Sequence, residues 1–147
     1  MNIEHSHTTM IRVRYADTDK MGIVYNGNYL TYFEIGRTEL LRSLGMPYAV
    51  LEQQGIQLPV IEAHLEYKAP AEYDDLISVQ ATCRMERGIL LHITYEITKH
   101  EKLLTIGHTI HPFMNIATGK PVRPPKSFLE LWNGTINSLN NKEDIGA

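Results

Sequence analysis

Two aspartates two positions apart, Asp17 and Asp19, stand in the stretch YADTDKMGIVYNGNY at residues 15–29, which runs into a segment with helical spacing. A carboxylate shortly before a helix start lies near backbone N–H groups that have no intrahelical partner, and near the positive end of the helix dipole. The two could act on one substrate. N–H groups at Asn26 and Gly27 would polarise a carbonyl oxygen, while Asp19, ionised at neutral pH, attacks the carbon or activates a water molecule. That is acyl-transfer logic. The other reading is that Asp17, Thr18 and Asp19 only shape a turn through side-chain to backbone hydrogen bonds.

Further along the same segment, Glu34 falls at the edge of the apolar stripe of Leu30, Phe33, Leu41 and Leu44, and Arg37 falls within it. Buried charge is costly unless paired, so these two read either as an ion pair one turn apart or as part of the site's surroundings. Asp17-Thr18-Asp19 also has the look of a phosphatase double-aspartate motif that binds magnesium. Such a motif follows a continuously apolar parallel strand, whereas Arg12 and Arg14 interrupt the strand here. No metal is expected. His108 and His111 are three apart on a strand and project to opposite faces, with His108 read as a core or interface residue between Ile106 and Ile110. His5 and His7 fall in a start that reads as loose and carry no assigned role.

The elements that must hold these residues follow from periodicity. At 147 residues and 43% apolar, the sequence fits one domain over residues 1–147, with a core at about 8–139 and flexible ends. A net charge of −3 gives no basic field for nucleic acid, and no apolar run reaches membrane-spanning length, so a cytoplasmic protein is expected. The single cysteine, Cys83, reads as a small buried residue on a strand. The Asn133-Gly134-Thr135 sequon falls in a helix and is set aside.

Alternation predicts a strand from Met10 to Tyr15, and helical spacing predicts the main helix over 29–44, capped by Asn26 or Asn28 and ended by Gly45. A short helix follows Pro47 and stops at Gly55. Four alternating runs come next, with inward faces of Ile61, Ala63, Leu65 and Tyr67; Ile77, Val79, Ala81 and Cys83; Ile89 to Ile97; and Leu104, Ile106 and Ile110. Short connections make them a meander, and with the first strand they form a five-stranded antiparallel sheet. Its apolar face needs a cover, and only the 29–44 helix is long enough, so the class is α+β with the sheet wrapped around that helix. Ser127 and Glu130 form a capping box ahead of Phe128, Leu131, Trp132, Thr135, Ile136 and Leu139, predicting a C-terminal helix and then a frayed tail after Asn140.

The run YADTDKMGIVYNGNYLTYFEIGRTELL, Tyr15 to Leu41, resembles the signature of hotdog-fold acyl-CoA thioesterases of the 4-hydroxybenzoyl-CoA thioesterase type, in particular the bacterial Tol-Pal-associated group. Similarity continues through LEYKAPAEYDDLISV and TGKPVRPPKSF, covering most of residues 10–128. The resemblance implies a hotdog fold and hydrolysis of an acyl-CoA to a carboxylate and free CoA, with CoA as part of the substrate and no cofactor. Asp19 matches the family's catalytic aspartate, as nucleophile or general base. Asn26 holds the helix-start position whose backbone N–H binds the thioester oxygen. Many members carry histidine there and others an aromatic residue, so asparagine keeps the backbone role and removes any imidazole role. Asp17 would hold the loop and Tyr25 would line the acyl pocket. Glu34 and Arg37 would orient the site from behind. Arg87 and Lys126 are the basic residues offered for CoA phosphates. The resemblance also implies a homodimer or homotetramer with each site at a subunit interface, and leaves acyl carrier protein open beside CoA. Two rivals stay in view. A hotdog dehydratase or hydratase needs a histidine, which this loop lacks, and a non-catalytic acyl-CoA-binding module would keep the pocket without turnover.

Overall fold

The computed structural model describes residues 3–134, so the expected helix positions Thr135, Ile136 and Leu139 and the tail after Asn140 lie outside the described residues. Strand β1 (Glu4–Arg12) leads through a 3-10 turn (Tyr15–Asp17) and a loop into α1 (Asn28–Ser43), followed by α2 (Tyr48–Gln53). Then come β2 (Ile56–Gln57), β3 (Glu62–Tyr67), β4 (Leu76–Glu86), β5 (Leu90–Lys99), β6 (Lys102–Asn115) and β7 (Pro121–Val122), and a last helix begins at 126. The main sheet is antiparallel in the order β1-β4-β5-β6-β3, with β2 and β7 pairing the C-terminal end of β6.

Two expectations about strand order are corrected here. β3 pairs β6 rather than its neighbour in sequence, β4, so the connection through Ala71–Asp75 crosses from one side of the sheet to the other instead of turning a hairpin. β1 starts at Glu4, six residues before the predicted strand, and Tyr15 belongs to the turn. The N-terminal stretch is therefore a strand paired along its length with β4, from Glu4↔Arg84 to Arg12↔Leu76. His5 is buried there. Its Nε2 is 3.0 Å from the Trp132 carbonyl oxygen, and its ring meets the indole edge-on, which ties the first strand to the last helix.

α1 lies against β1 and β4. Its buried residues, Tyr29, Tyr32, Phe33, Gly36, Leu40 and Leu41, recur every three or four positions and define the inward stripe. Leu30, expected in that stripe, is 44% exposed. The predicted cap also differs: Gly27 precedes the helix with no side-chain cap, and the Asn28 amide donates to the Asp17 carbonyl instead. Two glycines set how closely helix and sheet approach. A Cβ on Gly36 would stand 2.8 Å from Val79 Cγ1, and one on Gly107 would stand 2.3 Å from the His64 carbonyl oxygen and 2.7 Å from the Phe33 ring. Phe33 uses that space to stack on Tyr95 at 4.1 Å. Each such buried side chain contributes about 1.5–3 kcal/mol.

β4 and most of β5 bury the expected faces: Ile77, Val79, Ala81, Cys83, Leu91, Ile93, Tyr95 and Ile97 are all within the core, whereas Ile89 is exposed. Burial raises the Cys83 thiol pKa, in keeping with a packing role. β6 is turned over relative to expectation. Leu104 is buried as expected, but beyond it Thr105, Thr109, His111 and Phe113 face the core, and Ile106, His108 and Ile110 lie on the outer face. The last helix packs Phe128 against Phe113 and Trp132, but Ser127 forms no capping box, since its hydroxyl donates to the Gln54 amide oxygen.

Candidate active site

Asp17 and Asp19 do different work. Asp17 is 6% exposed and is the third residue of the 3-10 turn. Its carboxylate accepts from the Arg14 N–H, the Arg14 guanidinium and the Tyr32 hydroxyl, each at 3.0 Å. Burial alone would raise its pKa, but the bonds from Arg14 and Tyr32 outweigh burial and hold it below the usual carboxylate range. Its carbonyl oxygen accepts from the Tyr25 N–H and the Asn28 amide, so this one residue joins the turn, the loop and the start of α1.

Asp19 opens a tight loop closed by two backbone bonds, Asp19 N–H to Ile23 O and Gly22 N–H to Asp19 O, with Gly22 at φ +80°. That left-handed conformation suits glycine. Asp19 Oδ1 accepts from the Met21 N–H at 2.8 Å, which fixes the carboxylate's direction, and Oδ2 makes no hydrogen bond among the described residues. The loop is held to the sheet connection by Val24 N–H to Ala71 O.

At the helix mouth, the N–H groups of Tyr25, Asn28 and Tyr29 are bonded to Asp17 O, Tyr25 O and Asn26 O. The N–H groups of Asn26 and Gly27 carry no hydrogen bond among the described residues, and the two residues stand immediately before α1, at the positive end of its dipole. Asp19 and Asn26 line one cleft of about 340 Å³, with Met21, Ile23, Val24, Tyr29, Tyr67, Lys68, Ala69 and Pro70. One carboxylate, the residue that bears the first open amide and an apolar wall therefore meet in a space of small-molecule size, with Gly27 next in sequence.

The remaining sequence-derived residues are placed differently. Tyr25 is exposed and stands over Gly27, where a Cβ would come within 3.0 Å of its ring, and it does not line the cleft. Glu34 and Arg37 line a second cavity further along α1, and no ion pair joins them among the described residues. Arg87 is in the β4–β5 hairpin, at the opposite end of β4 from the Asp19 loop. Lys126 begins the last helix at that same far end and pairs Glu130 at 4.0 Å. Within one chain, the cation at the Asp19 cleft is Lys68, 3.7 Å from Glu66. Lys68 and Tyr67 escaped the sequence reading because β3 reaches the helix mouth only through its pairing with β6; Tyr67 donates its hydroxyl to the Asn26 carbonyl at 3.0 Å. No cluster of metal-ligating side chains occurs among the described residues.

Residues 13–131 match the Thioesterase-like superfamily. The chain belongs to that superfamily. YneP of Bacillus subtilis, named as an acyl-CoA thioesterase, is 35% identical over 125 residues, spanning 84% of this chain and 91% of YneP. The acyl-CoA thioester hydrolase YbgC of Escherichia coli is 32% identical over 120 residues, spanning 81% of this chain and 90% of YbgC. The crystal structure of the DHNA-CoA thioesterase from Staphylococcus aureus superposes with a TM-score of 0.82 at 33% identity, covering 94% of this chain and 95% of that one. The superfamily's hotdog fold is the one described above: an antiparallel sheet wrapped around one long helix. No helix among the described residues is long and apolar enough to cross a membrane.

Proposed function

We propose that this protein hydrolyses an acyl-CoA thioester to a carboxylate and free CoA, with Asp19 as the reacting carboxylate. The observation that carries the reading is the cleft shared by Asp19 and Asn26, whose backbone N–H, like that of Gly27 next to it, makes no hydrogen bond among the described residues. The amides donate to the thioester oxygen and stabilise the negative charge that grows on it. Asp19 either takes a proton from the attacking water or attacks the carbonyl carbon itself, giving a mixed anhydride that water then opens. In both routes the carbon–sulfur bond breaks, sulfur leaves as thiolate and is protonated, and the acyl group leaves as a carboxylate. Lys68, on the rim, meets the phosphates of the CoA arm.

The Tyr15–Leu41 motif supports the 4-hydroxybenzoyl-CoA thioesterase type and its Tol-Pal-associated group, in a cytoplasmic setting, and acyl carrier protein is the alternative carrier. A homodimer or homotetramer fits the edge strand β3. Its outer edge is free among the described residues, and the row expected to face inward is largely exposed, with Ile61 at 60% ahead of the strand and Tyr67 at 52% beside the cleft.

A thiol-release assay over a panel of acyl-CoAs tests the reading. Asp19→Asn is expected to lose about a thousandfold or more in kcat while still binding substrate. Equal rates for Asp19→Asn and wild type would remove the mechanism. Saturable binding without turnover would mark a binding module, and enoyl product without free thiol would mark a dehydratase.

A further inference from the structure

The cavity that Glu34 and Arg37 line, of about 360 Å³, is set between α1 and the β5–β6 side of the sheet. Leu41, Leu58 and Ile93 give it apolar walls, and His111 closes its floor. His111 is buried, and its hydrogen bonds fix a one-way chain. The Leu58 carbonyl can only accept, so His111 Nδ1 carries the proton and donates to it at 3.0 Å. Nε2 then accepts from the Thr109 hydroxyl at 2.8 Å, and the Thr109 oxygen accepts from the Tyr95 hydroxyl at 2.6 Å. Arg37, on the same cavity, is an electrostatic neighbour of the Tyr95 hydroxyl at the end of the chain. Burial presses the His111 pKa down to about 4, which keeps the imidazole neutral and the chain running in this direction at neutral pH.

Every group in that chain is satisfied and none carries a negative charge. Arg37 is half-buried at its end, and none of the ion pairs among the described residues includes it. Glu34 lines the same cavity from the exposed outer side of the helix without pairing it. A guanidinium whose neighbours in the cavity include a neutral hydroxyl and no paired carboxylate keeps N–H groups for a planar anion, and it matches a carboxylate in two-pronged geometry.

We propose that the cavity between α1 and β5–β6 is a second ligand site, which takes a small carboxylate with an apolar body and reads it through Arg37. The carboxylate has two sources: a free carboxylic acid, or the far end of an acyl chain that carries a second acid group.

The test uses the full chain and 15N NMR titration with benzoate, and with benzamide as the uncharged control. Wild type should bind benzoate saturably, with shifts at Thr38, Leu58 and Ile93, and should bind benzamide about tenfold more weakly or worse. Arg37→Gln should lose benzoate binding by a similar factor, Arg37→Lys should recover part of it, and Asp19→Asn should bind as wild type does. Equal binding of benzoate and benzamide to wild type would overturn the proposal, whatever the fate of the Arg37 variants. So would shifts confined to the Asp19 cleft, or native benzoate affinity in a folded Arg37→Gln. A second arm separates the sources and rests on the thioesterase reading. A KM raised in Arg37→Gln for glutaryl-CoA but not for valeryl-CoA assigns the carboxylate to the acyl chain, and equal KM changes for both assign it to a free acid. Should no thioester be hydrolysed, the first arm still decides the site.

Discussion

Asp17 and Asp19 have the same side chain, two residues apart, and opposite surroundings. Asp17 is enclosed, with three donors on its carboxylate and its carbonyl joined to the helix start. Asp19 has one oxygen fixed by the Met21 N–H and the other free at the cleft. The difference separates holding from reacting. A buried carboxylate with both oxygens engaged is stabilised as the anion and has little left to offer a substrate. One that is aimed but half-engaged keeps a basic oxygen. The turn at Tyr15–Asp17 is what allows the next loop to be so lightly bonded, because it anchors both loop ends, through Arg14 and Asn28.

That contrast can be broken by exchanging the two losses. The largest effect is expected from Asp19→Asn, about a thousandfold or more in kcat with the melting temperature near wild type, read by thiol release and calorimetry together. Asp17→Ala should do the reverse, costing about 1–3 kcal/mol of stability because it leaves the buried Tyr32 hydroxyl without its acceptor, while folded protein at low temperature retains most of its turnover. Denaturant titration of both variants reads this.

Acid sharpens the comparison further. His111 has its pKa pressed down to about 4, so between pH 6.5 and 4 the unfolded chain binds a proton that the folded chain does not. Stability should therefore fall across that window as pH drops, by roughly 3 kcal/mol, and the fall should flatten in His111→Gln. Asp17 is shifted the other way for a carboxylate: its contribution is present above the ordinary carboxylate range and is lost only as pH falls through its lowered folded value. Wild type and Asp17→Asn should thus converge only at strongly acidic pH. The smallest effect is expected from Lys68→Ala, a few-fold rise in KM for acyl-CoA that shrinks with added salt, with kcat unchanged.

Where local pattern and tertiary demand agree, the fold was legible. Ile77, Val79, Ala81 and Cys83 alternate and are all buried, and the stretch before α1 marked Asp19 as the residue near open amides. β6 misled because its core face is built from Thr105, Gly107, Thr109 and His111. Gly107 is small to admit Phe33, and the polar residues Thr109 and His111 are satisfied by the chain that runs to Tyr95. Ile106 and Ile110 then fall outside. The polar run Glu4 to Thr9 hid a strand, since what buries His5 is a carbonyl 127 residues away. Lys68 and Tyr67 were invisible as site residues for the same reason: strand partners far apart in sequence bring them to the helix mouth.

The central claim is geometric, and a crystal structure of Asp19→Asn with a slowly hydrolysed acyl-CoA bound measures it directly. The predicted result has the thioester oxygen about 2.7–3.1 Å from the Asn26 or Gly27 amide nitrogen, with the thioester carbon, or a water in line with it, about 3–3.5 Å from the side chain at position 19. A thioester bound with its carbonyl turned away from both amides and its carbon out of reach of residue 19, in every subunit of the assembly, would contradict the account.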